Sequence, residues 1–192
     1  MPHVILRRHL AAAIHTAASK DIRFYLCGVH VDGRVVVSTT GTIAAAFLGP
    51  KCDSYLPPFT IPLETAKRIC RRKTEKLEVK DAGNGWIMIG EEMVHPIDGG
   101  YPDFRRVFLP ATDPAPGGVT VDPELLAKFT DVGRALGLSK GVTPRLYGTG
   151  KGASQAIRVA LPNVESEFMG MIMPMTWASK DLYPVCGEWL GR

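Results

Sequence analysis

The sequence predicts an α+β fold built from three β-α-β-β-β units, with the helices on one side of antiparallel sheets. Two observations predict it. The same succession of an apolar triplet, a helical stretch and short alternating strands begins near Val4, again near Phe59 and again near Val119. Dipeptides suited to tight turns, Asp32-Gly33 and Asn84-Gly85, sit between the alternating runs. A unit of about 60 residues folded alone leaves much of its surface wet, so such units should pack in pairs, and three leave one over.

In the first unit Leu6, Leu10, Ala13, Ile14 and Ala17 recur at helical spacing and predict a helix from Arg7 to Ser19, with Arg7, Arg8 and His15 largely off the buried stripe. The runs Ile22–Val31 and Arg34–Gly41 alternate about Asp32-Gly33 and predict a hairpin, with another strand at Ile43–Gly49. The stretch Pro50–Pro58, with two adjacent prolines, breaks the pattern and reads as a connector. Pro62 stands where a missing N–H costs a helix nothing, and Leu63, Ala66, Ile69 and Cys70 carry that helix from Leu63 to Thr74. Asn84-Gly85 marks the next hairpin, between Lys76–Asp81 and Trp86–Gly90.

A second connector, Leu109–Gly118, separates the first two units from the third, where Asp122-Pro123-Glu124 is a helix start: a side-chain acceptor, a proline pre-set for the first turn and an acid at the positive dipole end. That helix should end near Gly137. Residues after Trp177 continue no unit. Leu182, Tyr183, Val185, Trp189 and Leu190 predict packing against the chain's own surface, with docking to another subunit as the alternative. The expected organisation is a two-unit domain over 1–110, a third unit over 118–177 and a tail over 178–192.

Composition narrows the function classes. The 192 residues are 45% hydrophobic and 22% charged, as in ordinary globular proteins, and no apolar run approaches the roughly 20 residues that span a bilayer, which predicts a soluble protein. Arg7, Arg8 and several alanines precede the first acid, Asp21, as in an organellar transit peptide, but this segment aligns with the starts of the later units. Cys27, Cys52, Cys70 and Cys186 lie far apart with no CxxC pair, which predicts a reducing cytoplasm, and His9 and His15 do not share a helical face, so neither a metal nor any other cofactor is expected. Tyr147–Ser154 only superficially resembles a phosphate loop, because Gly152 follows Lys151 where that motif needs a hydroxyl. No cluster has catalytic spacing, and the chain is not expected to be an enzyme.

The strongest chemical signal is the second helix. With its apolar residues turned inward, Lys67, Arg68, Arg71, Arg72 and Lys73 crowd the remaining surface, a phosphate-seeking face that predicts salt-sensitive, sequence-tolerant binding of a nucleic-acid backbone. A solvated helix neutralised by Glu64 and Glu75 is the alternative. Arg7 and Arg8 on the first helix, and Lys128 and Arg134 on the third, occupy comparable places and would extend the basic surface. The formal charge of +4 is mild, so distribution rather than sum carries this reading.

Three segments together, Lys20–Gly41 (KDIRFYLCGVHVDGRVVVSTTG), His95–Val107 (HPIDGGYPDFRRV) and Met173–Met175 (MPM), resemble the bacterial DNA sliding clamp, the beta subunit of DNA polymerase III, in order and in place. The resemblance reaches to Trp177. It likens the first two units to the clamp's middle domain and the third to the second half of its last domain. It implies a ring with sheets outside and helices facing duplex DNA, no enzymatic activity, and a partner polymerase or repair protein docked through a linear peptide. The implied cleft is Thr39 and Gly41, Pro102, Arg106 and Val107, and Met173, Pro174 and Met175. The chain departs from the family where an Asp-Gly-His-Arg-Leu run is usual: it has Thr40, Gly41, Thr42, Ile43 and Ala44.

The reading is therefore a shortened, sliding-clamp-like DNA-binding processivity factor of phage-like size. Its unpaired third unit predicts a homo-oligomer. The rival is a clamp-derived interaction module that binds replication proteins without encircling DNA. A small hydrolase would need a catalytic cluster that the sequence does not supply.

Overall fold

A computed structural model describes residues 2–52, 56–108, 113–114, 120–139, 143–149 and 156–175. The first two apolar triplets form strands β1 (His3–Leu6) and β5 (Phe59–Pro62), and each runs directly into a helix, α1 (Arg7–Ile14) or α2 (Leu63–Cys70). Three strands complete each unit: β2 (Gly28–Asp32), β3 (Val35–Thr39) and β4 (Ile43–Leu48) in the first, and β6 (Lys76–Gly83), β7 (Trp86–Ile89) and β8 (Glu92–Val94) in the second. The units exchange their opening strands. β1 pairs antiparallel with β6, and β5 pairs antiparallel with β2, so neither unit completes its sheet alone.

The remaining elements are β9 (Asp113–Pro114), α3 (Pro123–Ala135), β10 (Arg145–Gly148), β11 (Ile157–Ala160) and β12 (Phe168–Ile172). β12 pairs with β4 from Phe168↔Phe47 to Ile172↔Ile43, which joins the third unit's sheet to the first. Two sheets result, ordered β1-β6-β7-β8 and β5-β2-β3-β4-β12-β11-β10-β9. α1 lies between α2 and α3 and packs on β2, β3 and β4, while α2 packs on β2 and β5 and α3 on β12. All three helices thus cover one face of the larger sheet, where Leu10, Ala13, Ala66, Ile69, Phe129 and Val132 meet Val29, Val31, Phe47 and Val159 in one core.

Local sequence explains most of these elements. Asn84 (φ 53) and Gly85 (φ 78) take the left-handed conformations of the β6–β7 hairpin. Asp122 accepts a hydrogen bond from the Glu124 N–H at 2.8 Å, with Pro123 in the first turn of α3. Four details differ from the sequence expectation. α1 stops at Ile14 rather than Ser19, because the Ser38 and Thr16 hydroxyls both donate to the Ala13 carbonyl, which a continuing helix would need for Ala17. α2 stops at Cys70 rather than Thr74, its end tightened into bonds from Arg71 to Arg68 and from Arg72 to Ile69 before the chain enters β6.

Phe24–Leu26 form a single 3₁₀ turn rather than strand, since the Asp21 carboxylate takes the Arg23 N–H at 2.8 Å and Cys27 bonds back to Phe24. Residues 120–122 form no strand; the Thr120 carbonyl instead accepts from the Met175 N–H at 2.8 Å. Apart from residues 113–114, the connector from Leu109 to Gly118 lies outside the described residues, as do Gly150–Ser154 and the tail expected after Trp177.

The third unit's core leaves no room at Gly170. A Cβ there would stand 2.6 Å from Phe129 Cε1 and 2.9 Å from Phe168 Cζ, inside a packed cluster of rings. Gly170→Ala is expected to lower stability by about 1–3 kcal/mol, because overpacking displaces neighbours that have nowhere to go. Urea unfolding measures this, and an unchanged midpoint would contradict it.

Candidate nucleic-acid interface and partner cleft

The helical face begins with burial. Leu63, Ala66 and Ile69 of α2 point into the core, which leaves Lys67, Arg68, Arg71, Arg72 and Lys73 exposed. Side by side with it, α1 presents Arg7 and Arg8, and α3 presents Lys128 and Arg134. The cations do not stand alone. Lys67 pairs with Glu64 at 2.6 Å, Arg68 with Glu92 at 2.6 Å, Arg72 with both Glu91 and Glu92, and Arg134 with Asp131 at 2.7 Å. Arg7 and Arg8 share Glu75, at 3.5 and 3.3 Å, and Arg8 also reaches Glu167 at 3.1 Å.

No ion pair is described for Arg71, Lys73 or Lys128. Nine cations therefore meet six acids, a surplus of three. Exposed pairs of this kind are worth about 0–1 kcal/mol each, so a phosphate can compete for the same guanidinium groups.

Buried His9 contacts Glu167 Oε2 through Nε2 at 2.9 Å and stacks on Phe47 at 5.8 Å between ring centroids. Burial holds its pKa below the ordinary value, against the opposing pull of Glu167. Arg8, His9 and Glu167 thereby tie α1 to the loop before β12.

At the junction of β4 and β12 the chain brings together part of the set expected for a cleft. The Thr39 hydroxyl donates to the Ile43 carbonyl at 2.6 Å and accepts the Gly41 N–H at 2.9 Å, which folds residues 39–43 into a tight turn. Gly41 has φ +94, and a Cβ there would meet the Arg23 guanidinium at 2.9 Å. The Met173 N–H donates to the Thr42 carbonyl at 2.8 Å, so Met173, Pro174 and Met175 run on beside this turn, with Met173 and Met175 exposed.

Pro102, Arg106 and Val107 are held differently. Tyr101 stacks on His30 at 4.3 Å, and Arg105 pairs with Asp32 at 2.5 Å, at the turn end of the β2–β3 hairpin. Thr39 lies four residues along β3 from the partner of Asp32, roughly 13 Å away by strand geometry. Arg106 is exposed and paired with Asp103 at 3.3 Å, Val107 is exposed, and Pro102 lines a cavity of about 740 Å³ whose wall also includes His30, Asp32 and Trp86.

No protein-family model and no curated protein sequence matches the chain. Solved structures do. The beta subunit from DNA polymerase of Streptococcus pyogenes superposes with a TM-score of 0.65 at 15% identity, covering 92% of this chain and 66% of that one. The DNA polymerase III subunit beta from Pseudomonas aeruginosa gives 0.62 at 18% identity over 92% and 66%, and the DNA polymerase sliding clamp from Caulobacter crescentus gives 0.61 at 14% over 92% and 65%. The chain has the fold of the bacterial DNA sliding clamp. It spans about two thirds of the length of the clamps it matches.

Within this clamp fold, the sequence did not disclose the acids that oppose the helical cations, Glu91, Glu92 and Glu167. They come from a hairpin turn, the start of β8 and a loop, and only the folded chain brings them to the helices. Arg23 was also missed as a site residue. Its guanidinium bridges Asp21 at 2.8 Å and the Thr40 carbonyl at 3.2 Å, beside the Gly41 turn, and the hydrogen bonds from Arg23 hold the Asp21 pKa down at about 2. Its signal was the Asp21–Leu26 segment itself, whose exposed Ile22 and Phe24 add apolar surface there. No helix among the described residues is long and apolar enough to cross a membrane.

Proposed function

We propose that the chain is a shortened sliding clamp, a processivity factor that holds duplex DNA without reading its sequence and tethers a DNA polymerase or repair protein to it. The observation that supports this most is the placing of three helices side by side on one face of the larger sheet, with Arg7, Arg8, Lys67, Arg68, Lys128 and Arg134 among their residues and Arg71, Arg72 and Lys73 exposed just past the end of α2. Residues 1–110 act as one domain of two units, 118–177 as a half-domain and 178–192 as a tail. The protein works in the cytoplasm as a homo-oligomer in which unpaired third units associate. A partner's linear peptide lies against Thr39, Gly41, Met173, Pro174 and Met175, with Pro102, Arg106 and Val107 at its far end. The activity has no catalytic step.

Arg71 and Lys73 offer the cleanest test, since neither has a described acid to release. In the double variant Arg71→Ala, Lys73→Ala, DNA affinity should fall and the slope of log affinity against log salt should flatten by about 0.9 for each phosphate that is no longer neutralised. The wild type should be retained on circular duplex but lost from linear duplex with free ends. Unchanged affinity and slope would exclude the helical face as the DNA surface. One observation favours the second reading, an interaction module that does not encircle DNA: six acids already occupy much of the cationic face. Under that reading the double variant leaves partner binding intact, and circles are retained no better than linear duplex.

A further inference from the structure

β4 and β8 hold equivalent places, each the last strand of its unit and each one strand beyond its unit's central hairpin. They differ in what lies beyond. β12 covers β4 along five residue pairs, whereas β8 ends its sheet with no described strand outside it.

The register identifies which backbone groups of β8 face that open edge. The Gly90 N–H donates to the Glu78 carbonyl at 2.7 Å, across to β6. Bonded pairs alternate along an antiparallel ladder, so Lys80↔Met88 is the next bonded pair, and Met88 spends its N–H and C=O on β6. Between β7 and β8 the bonded pairs are then Ile89↔Glu92 and Ile87↔Val94, as the two-residue turn at Gly90-Glu91 requires. Met93, opposite Met88, turns both its N–H and its C=O outward, and its side chain is 44% exposed.

We infer that this edge pairs antiparallel with β8 of a second copy of the chain, across a two-fold axis at Met93. That arrangement exchanges both backbone bonds of Met93 between the copies. It also sets Glu92 opposite Val94 and the exposed Glu91 opposite His95, so no like charges meet. Sliding the axis toward the turn would oppose Glu92 with Glu92, or Glu91 with Glu91. The edge therefore carries both halves of one self-complementary contact, which a second copy fits without any further feature. The contact is distinct from an association of third units, and it rests on the strand register alone and not on DNA binding.

Two variants test it. Met93→Pro removes an N–H that β7 does not use, so sedimentation at micromolar concentration should show an assembly of about half the wild-type mass, while Met93→Ala retains that mass. Met93→Cys places two thiols on a bonded cross-strand pair whose Cα atoms are about 5.5 Å apart, inside the disulfide range. Mild oxidation should therefore cross-link it into a dimer in a yield that the wild type, with its own cysteines, does not reach. A monomeric wild type, or a Met93→Cys variant that cross-links no better than wild type, would overturn the contact, as would an undiminished mass in a folded Met93→Pro variant. Should Met93→Pro fail to fold, the cross-link decides alone.

Discussion

Phe47→Ala is expected to lower stability by about 3–5 kcal/mol and to loosen the third unit before the rest of the molecule opens. Phe47 is completely buried near the end of β4, and the rings against it come from two distant parts of the chain. Its ring lies 5.6 Å from Phe168, its register partner on β12, and 5.8 Å from His9 on α1, while Phe168 in turn meets Phe129 of α3 at 6.2 Å. Truncation would leave a void bounded by rings that backbone pairing and helix packing hold in place, so collapse can recover little of the loss. Because the void sits on the seam between β4 and β12, amide exchange should quicken first in β11, β12 and α3, and least in β6 and β7. A loss below about 1 kcal/mol, or exchange that quickens uniformly, would show that Phe47 does not hold this seam.

The elements that the sequence discloses are those whose cause is local. Asp122-Pro123 marks the start of α3 because capping needs only its own neighbours, and Asn84-Gly85 marks a hairpin because the turn's conformation is a property of those two residues. The end of α1 has a distant cause, a Ser38 hydroxyl 25 residues away that takes the Ala13 carbonyl. The exchange of β1 and β5 and the joining of β4 to β12 are likewise choices among pairing partners that periodicity does not rank. The same division runs through the candidate sites. The cations of 67–73 are one run in the sequence, from the last turn of α2 to just past its end, and are visible as such, whereas the acids that oppose Arg68, Arg72 and Arg8 arrive from β8, its turn and the loop before β12. Met173 meets Thr42 only because β12, which ends just before Met173, pairs with β4, which begins just after Thr42, although the MPM segment itself could be picked out by resemblance.

Acid should destabilise the fold well above the range where carboxylates titrate, and His30 should account for much of the effect. His30 is buried on β2 with its ring parallel to Tyr101 at 4.3 Å, and its Nδ1 lies 3.0 Å from the Thr60 hydroxyl. Burial pulls its pKa from 6.5 to about 4, the Asp32 carboxylate opposing that pull and the Arg105 guanidinium adding to it. A group whose pKa is lower folded than unfolded binds more protons in the unfolded chain between the two values. Stability must therefore fall as the pH drops from about 6.5 to about 4, with a slope approaching about 1.4 kcal/mol per pH unit and a total on the order of 3 kcal/mol. His3, His9 and His15, whose pKa values burial also lowers, steepen the decline from the same side. His30→Phe keeps a ring to stack on Tyr101 and removes the titrating nitrogen. It should cost about 1 kcal/mol at neutral pH, because the Thr60 hydroxyl loses its partner, and it should flatten the pH dependence between 6.5 and 4 by close to one proton. Urea unfolding of both proteins across that range measures the difference, and parallel curves would mean that His30 is not the group responsible. Since Tyr101 leads into Pro102 and on toward Arg106 and Val107, protonating His30 in the folded chain, at about pH 4, should disturb the stacked ring that anchors this end of the proposed cleft. Any peptide bound there should be released as the pH falls through about 4, where the folded His30 takes up its proton, and retained in His30→Phe.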